Sequence, residues 1–253
     1  MTSRNNRLPS RSARRRRGKN NTWNKCINVI SFLLIVAGLA MLAAQPIKYY
    51  LIGRNQNKYA LSHLTAKDLK ENKNKVANFD FSTVENVDAT GVIKNSLKGK
   101  PLPVIGGIAI PAVKLNLPIY KGVENAQLIS GAGTLRPEQE MGKGNYPLAS
   151  HRMKDESLLF TPLIHLQKGD LIYLTDLQYI YVYKTENLME VEPTRTDLIE
   201  DDPNGAKQVT LITCNIDGSK REIAQGTYVK KVSMTKASPE MKKAFEIANN
   251  TVK

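Results

Sequence analysis

Apolar and polar positions divide the chain into three textures. From Cys26 to Ile47 run 22 residues without a charge, with Asn28, Ser31 and Gln45 as polar exceptions. As a helix this stretch is about 33 Å long, enough for a bilayer core. Residues 53–77 are polar with scattered Leu, Ala and Tyr, the pattern of a juxtamembrane helix or stalk. Residues 78–100 carry few large apolar groups and read as a linker. From Pro101 onward, short β-rich runs are punctuated by Pro and Gly. Strands are predicted near Ile105–Ile110, Leu115–Tyr120, Asn145–His151, Leu171–Thr175, Tyr179–Glu190, Gln208–Cys214 and Glu222–Met234. Short helical pieces are predicted at Ala126–Ser130 and Ser157–Leu166, and an amphipathic helix at Pro239–Asn249. Many short strands with few helices predict an all-β barrel or sandwich. Along Tyr179–Tyr183 the alternation leaves the buried face open.

Charge sharpens this division. The chain of 253 residues carries 37 Lys and Arg against 23 Asp and Glu, a net +14. Residues 1–25 hold nine of the basic residues and no acid, and the first acid is Asp68. The remainder is nearly balanced at +5 (28 against 23), so the basicity belongs to a tail and gives no support to a globular nucleic-acid-binding domain. Nine positive charges before the apolar run, with Tyr49 and Tyr50 after it, orient it as a membrane anchor with a cytoplasmic N-terminus. The basic tail then also meets anionic membrane lipid. A cleaved signal peptide is the alternative, with Gly38-Leu39-Ala40 as its small-x-small site, but the apolar run exceeds the usual length of a signal h-region. The expected organisation is a basic tail (1–25), an anchor (26–47), a stalk or linker (48–99), a β domain (100–236) and a helical tail (237–253).

Two cysteines exclude a disulfide-rich scaffold and a multi-cysteine zinc site. Cys26 begins the anchor. That leaves Cys214 as a lone thiol in the outer part, at the end of the apolar run Val209–Cys214 and before the polar loop 215–220. Such a cysteine is either an intermolecular disulfide partner or a nucleophile. A nucleophile needs a base or cation nearby, because a free thiol with a pKa of about 8.5 is only slightly ionised at neutral pH. Three histidines compete. His63 lies in the polar segment, and His165 lies in a helical piece where packing is the default. His151 ends an apolar strand just as Cys214 does. Arg221 opens the strand after the Cys214 loop and is placed to stabilise an oxyanion.

These residues resemble a known family. Thr210-Leu211-Ile212-Thr213-Cys214 matches the TLxTC signature of the sortases, and Leu148-Ala149-Ser150-His151 looks like their strand ending in the catalytic histidine. Arg221 takes the place of their catalytic arginine, and with the single upstream anchor the resemblance is to class A. It covers roughly residues 100–235. The resemblance implies a closed eight-stranded β-barrel preceded by one transmembrane helix. It implies a thiol transpeptidase and endopeptidase outside a Gram-positive cell that cleaves LPxTG-type sorting signals between Thr and Gly. Cys214 would form a thioacyl enzyme, which the amine of a peptidoglycan precursor of the lipid II type resolves. His151 would be the acid and base, and Arg221 would hold the oxyanion or the signal's backbone. Ala149, Thr210, Leu211 and Ile212 resemble the lining of the Leu-Pro pocket, and the Thr213 backbone resembles a second oxyanion contact. The loop Glu190–Gly205 is where substrate contacts vary in the family.

Some class A members use calcium held by acids of two loops. Here the loops offer Glu138 and Glu140, then Glu190, Glu192, Glu200, Asp201 and Asp202, with Lys143 among them. Six to eight oxygens are not evident in that spacing, so no metal or other cofactor is expected, with calcium activation as the alternative. The rival readings are a pilin-polymerising sortase of another class and a non-catalytic, anchored wall-binding domain using Cys214 as a linkage point.

Overall fold

The computed structural model describes residues 11–81, 84, 91–92 and 101–246, with side chains from residue 22 onward. It divides into two compact units, Met1–Pro46 and Ile47–Lys253. In the first unit a helix, α1 (Arg11–Lys58), leaves Phe32, Leu33, Leu34 and Met41 exposed, and its part from Thr22 is long and apolar enough to cross a membrane. Pro46, the last residue of the first unit, lies inside α1.

The second unit begins with the last turns of α1, followed by α2 (Ala66–Lys73). Thr65 starts α2 with a capping box: its hydroxyl accepts from the Asp68 N–H, and the Asp68 carboxylate accepts from the Thr65 N–H at 2.8 Å. The segment 53–77, read from sequence as a juxtamembrane helix or a stalk, contains this helix and packs on the β domain: Leu61 and Leu69 are buried, as is Ile52 just before it. The approach is close: a Cβ on Gly107 would strike the end of the Leu61 side chain, which would have to move aside. Of the expected linker, residues 82–83, 85–90 and 93–100 lie outside the described residues, as do 1–10 of the basic tail and 247–253 of the helical tail.

Eight strands follow: β1 (Val104–Ile110), β2 (Leu115–Tyr120), β3 (Ala132–Thr134), β4 (Asn145–Ala149), β5 (Leu171–Thr175), β6 (Tyr179–Val191), β7 (Gln208–Cys214) and β8 (Arg221–Ser233). They close into a barrel in the order β1-β2-β3-β4-β7-β8-β6-β5, with β5 pairing back to β1. Two pairings are parallel, β2 with β3 and β4 with β7. The interior is filled by Ile108, Leu117, Tyr146, Leu148, Leu174, Tyr183, Val209 and Leu211. On β6, Tyr181 and Tyr183 point into this core, while Ile180 and Val182 pack outside against Ala109 and Tyr173. Both faces of the first half of β6, Tyr179–Tyr183, are therefore covered. A short helix, α3 (Asn125–Leu128), stands where Ala126–Ser130 was expected, and only Thr161–His165 of the expected piece 157–166 is helical, as a 3₁₀ turn. Helix α4 (Pro239–Glu246) closes the described chain, and Asn116 Nδ2 donates to its Phe245 carbonyl at 2.9 Å.

Candidate active site

Three neighbouring strands, β4, β7 and β8, carry the site. Side chains alternate along a strand, so with Tyr146, Leu148, Val209, Leu211 and Ala224 inside, the residues between them face outward. Asn145 pairs with Gln208 and Ala149 with Ile212, and the Ser150 N–H continues the ladder to the Ile212 carbonyl at 3.2 Å. The same register carried two residues on sets His151 level with Cys214. On the other side of β7, Cys214 pairs directly with Arg221. His151, Cys214 and Arg221 therefore form one row across three strands, on the outer face at one end of the barrel.

The groups of this row are lightly engaged. The Cys214 thiol is free and half-buried. His151 Nε2 is buried without a hydrogen-bond partner, and desolvation pushes the imidazole down from 6.5 to about 4, so it is neutral at pH 7. Arg221 Nη1 donates to the carbonyls of Gly218 and Lys220, both at 3.1 Å. The competing histidines lie elsewhere: His63 is exposed in the Leu61–His63 turn, and His165 Nε2 meets Glu156 Oε2 at 3.2 Å on the surface.

The five expected pocket residues divide by face. Ile212 faces outward and is partly exposed. Ala149 faces outward but is buried among Val123 and Leu128, with Phe81, Val84 and Leu135 packed on that cluster. The Thr210 side chain is buried in a hydrogen-bond network, Leu211 is fully buried in the barrel core, and the Thr213 hydroxyl donates to the Ser150 carbonyl at 2.9 Å. The Leu211 and Thr213 side chains thus support the row from inside and do not line the outer face.

The opposite end of the same strands is organised by Asn145 and Arg136, which sequence reasoning did not single out. Thr210 Oγ1 donates to Asn145 Oδ1 at 2.9 Å, and Asn145 Nδ2 donates to the carbonyls of Leu198 and Glu200, both at 2.9 Å. Asp201 Oδ1 accepts from Arg136 Nη2 at 2.6 Å and from the Asn145 N–H at 2.8 Å, which together hold its carboxyl below the usual range. A Cβ on Gly144 would strike that carboxylate at 2.6 Å. The loop after β6 is thus fastened onto β4. An Asn opening an otherwise apolar strand was the one available signal.

Four of the seven acids considered for calcium, Glu140, Glu190, Glu200 and Asp201, face cations of the chain itself. Arg136 also meets Glu200 at 3.6 Å, Lys143 meets Glu140 at 2.6 Å, and Lys220 meets Glu190 at 3.1 Å. Among the described residues no three metal-ligating groups gather. The loops do not fit a hard cation needing six to eight oxygens.

Comparison with known proteins bears on what the row is for. Residues 108–229 match the family model described as the Sortase domain. The chain is 37% identical over 226 residues to sortase A of Streptococcus agalactiae serotype III (strain NEM316), spanning 87% of this chain and 91% of that protein. The chain belongs to the sortases. Sortase A of Listeria monocytogenes serovar 1/2a (strain ATCC BAA-679 / EGD-e) is likewise 37% identical, over 209 residues that cover 82% of this chain and 93% of that protein. The solved structure of Listeria monocytogenes sortase A aligns with a TM-score of 0.52 at 40% identity, covering 56% of this chain and 96% of that chain. These similarities make this sortase one of class A, a cysteine transpeptidase that anchors surface proteins. The reading as a non-catalytic wall-binding module is set aside.

Proposed function

We propose that this sortase cleaves LPxTG-type sorting signals between Thr and Gly and joins the acyl fragment to an amine of a peptidoglycan precursor of the lipid II type. The observation that carries the reading is the shared row of His151, Cys214 and Arg221. The Cys214 sulfur attacks the Thr carbonyl, and the thiol proton passes to the neutral His151. The imidazolium then protonates the departing Gly nitrogen, which leaves a thioester on Cys214. The acceptor amine attacks that thioester, His151 takes up its proton, and the thiol is regenerated. Splitting one amide exchange into two steps lowers each barrier. Arg221 exchanges its loop carbonyls for the developing oxyanion or the signal's backbone.

The apolar Leu and Pro of the signal suit the outer face beside Ile212 and the Ala149 cluster. The loop 192–207, fastened by Asn145 and Arg136, would discriminate among signals. Residues 26–47 would anchor the enzyme as a single span, with its N-terminus in the cytoplasm and the barrel outside. The anchor then holds the site beside both membrane-associated substrates and raises their effective concentration.

The test uses the full chain in detergent micelles, mixed with an LPxTG peptide and a small amine and followed by mass spectrometry. An acyl adduct on Cys214 and an amine-linked product are expected, with neither from Cys214→Ala. A folded enzyme that forms no adduct with LPxTG peptides would overturn the proposed signal.

A further inference from the structure

We propose that Arg152 and Glu222 are positioning residues that hold His151 and Arg221 in place on either side of Cys214. This rests on the catalytic assignment above. Arg152 follows His151 and Glu222 follows Arg221, and the Arg152 guanidinium forms an ion pair with Glu222. The pair reaches from the end of β4 to the start of β8, across β7. Register sets Glu222 level with Thr213, whose hydroxyl donates to the Ser150 carbonyl. Ser150, Thr213, Glu222 and Arg152 thus form a layer directly behind the row, one residue out of phase with it.

The setting makes stability a poor reason for this pair. The two side chains are 15% and 28% exposed and border an open groove of about 340 Å³ lined by Leu163, Leu166, Leu188, Met189 and Glu190. An ion pair in such a place gives up hydration that its mutual attraction barely returns, and apolar substitutes are often as stable. What the pair supplies is direction. A catalytic imidazole is commonly oriented by a hydrogen-bonded third group, but among the described residues no hydrogen bond reaches the His151 ring, and its Nε2 is buried unpartnered. Ring placement therefore depends on the backbone at 150–152. That backbone is held by the Ser150 N–H on the Ile212 carbonyl at 3.2 Å and by the Phe160 N–H on the His151 carbonyl at 3.1 Å. Arg152 adds the lateral tie to β8. Glu222 fixes the strand start from which Arg221 turns toward substrate.

The test measures kcat, KM for an LPxTG peptide and melting temperature on the full chain in detergent micelles. The variants are Arg152→Ala, Glu222→Ala, Arg152→Lys and the doubly apolar Arg152→Met/Glu222→Leu. Misplacing an acid/base by about an ångström costs up to about a hundredfold, so each alanine variant is expected to lose roughly ten- to a hundredfold in kcat with KM little changed. Arg152→Lys keeps a cation facing Glu222 and is expected to recover most of kcat. The doubly apolar variant is expected to melt no lower than the parent yet stay as slow as the alanine variants, because it refills the space without restoring direction. A doubly apolar enzyme at the parent kcat overturns the proposal, as does Arg152→Lys no faster than Arg152→Ala. Failure of the catalytic assignment would look different, since Cys214→Ala would then remain active.

Discussion

The two ends of β4, β7 and β8 treat their polar groups in opposite ways. At the Asn145 end, one side chain serves Thr210, Leu198 and Glu200, and Asp201 is shared by Arg136 and the Asn145 N–H. At the His151 end, a thiol is free, an imidazole nitrogen is buried unpartnered, and an arginine is parked on two loop carbonyls. Buried polar networks rigidify when satisfied and cost free energy when left open. The Asn145 end, saturated but for the buried Arg136 Nε, therefore fixes the register, and that register delivers a free thiol, an unpartnered imidazole nitrogen and an arginine held only by loop carbonyls to one line at the other end. Strand pairing is how stability at one place becomes geometry at another.

The sharpest way to break the comparison is to exchange what each end is for. His151→Gln is expected to lower kcat/KM by roughly 10²- to 10⁴-fold, the range of general acid–base catalysis, while leaving the melting temperature at pH 7 nearly unchanged. A loss of fold in this variant would mean that the open end is structural after all. Asn145→Ala should do the reverse. It orphans the Thr210 hydroxyl and the Leu198 and Glu200 carbonyls, at about 1–3 kcal/mol for a buried unsatisfied group. Denaturant unfolding is expected to show a stability loss of about 2 kcal/mol or more. Turnover should suffer far less than in His151→Gln, and equal losses in both variants would erase the distinction between the ends.

Little of this contrast could be read from residue order alone. Cys214 and His151 stood out as candidates because each ends an apolar run beside a polar loop. That they are level with one another follows from a parallel register between strands more than sixty residues apart, which no local pattern encodes. Strand β3 escaped notice because Ala-Gly-Thr has little β preference of its own and is held by pairing with β2 and β4. The buried face of Tyr179–Tyr183 cannot be read from alternation because both faces of that stretch are covered. Leu61 and Leu69 are isolated apolar residues in a polar stretch, and only the barrel surface they meet makes them core. Nothing in the residue order singles out Arg136, because its partners Asn145 and Asp201 come from two other segments.

The comparison also predicts how acid acts. His151 titrates at about 4 in the folded chain against 6.5 ordinarily, so the unfolded chain takes up the proton first as pH falls. Above pH 6.5 the residue contributes no pH dependence. Between 6.5 and 4 its neutral, buried form costs up to about 1.4 kcal/mol of stability per pH unit. Unfolding free energies measured at pH 7 and pH 5 should therefore diverge less in His151→Gln than in the parent. Identical slopes would place the acid sensitivity in other groups.

The smallest expected effect concerns the cation between the two loops at the saturated end. Calcium would need six to eight oxygens there, and the carboxylates of Asp201 and Glu200 already face the Arg136 guanidinium. The chain supplies its own positive charge at that point, so adding calcium or a chelator should leave kcat/KM unchanged. Arg136→Met removes the charge. Both carboxylates are mostly exposed, at 61% and 66%, so the ion pairs themselves contribute no more than about 1 kcal/mol after screening by water. The lost Arg136 bond to the Asn145 carbonyl, 2.8 Å long, adds a similar amount. A modest fall in melting temperature is therefore expected, with a rise in the signal's KM as the loop 192–207 loosens. An enzyme whose rate climbs with calcium before Arg136 is altered would show that these acids are freer in solution than their contacts imply, and that the fastening of the saturated end is not complete.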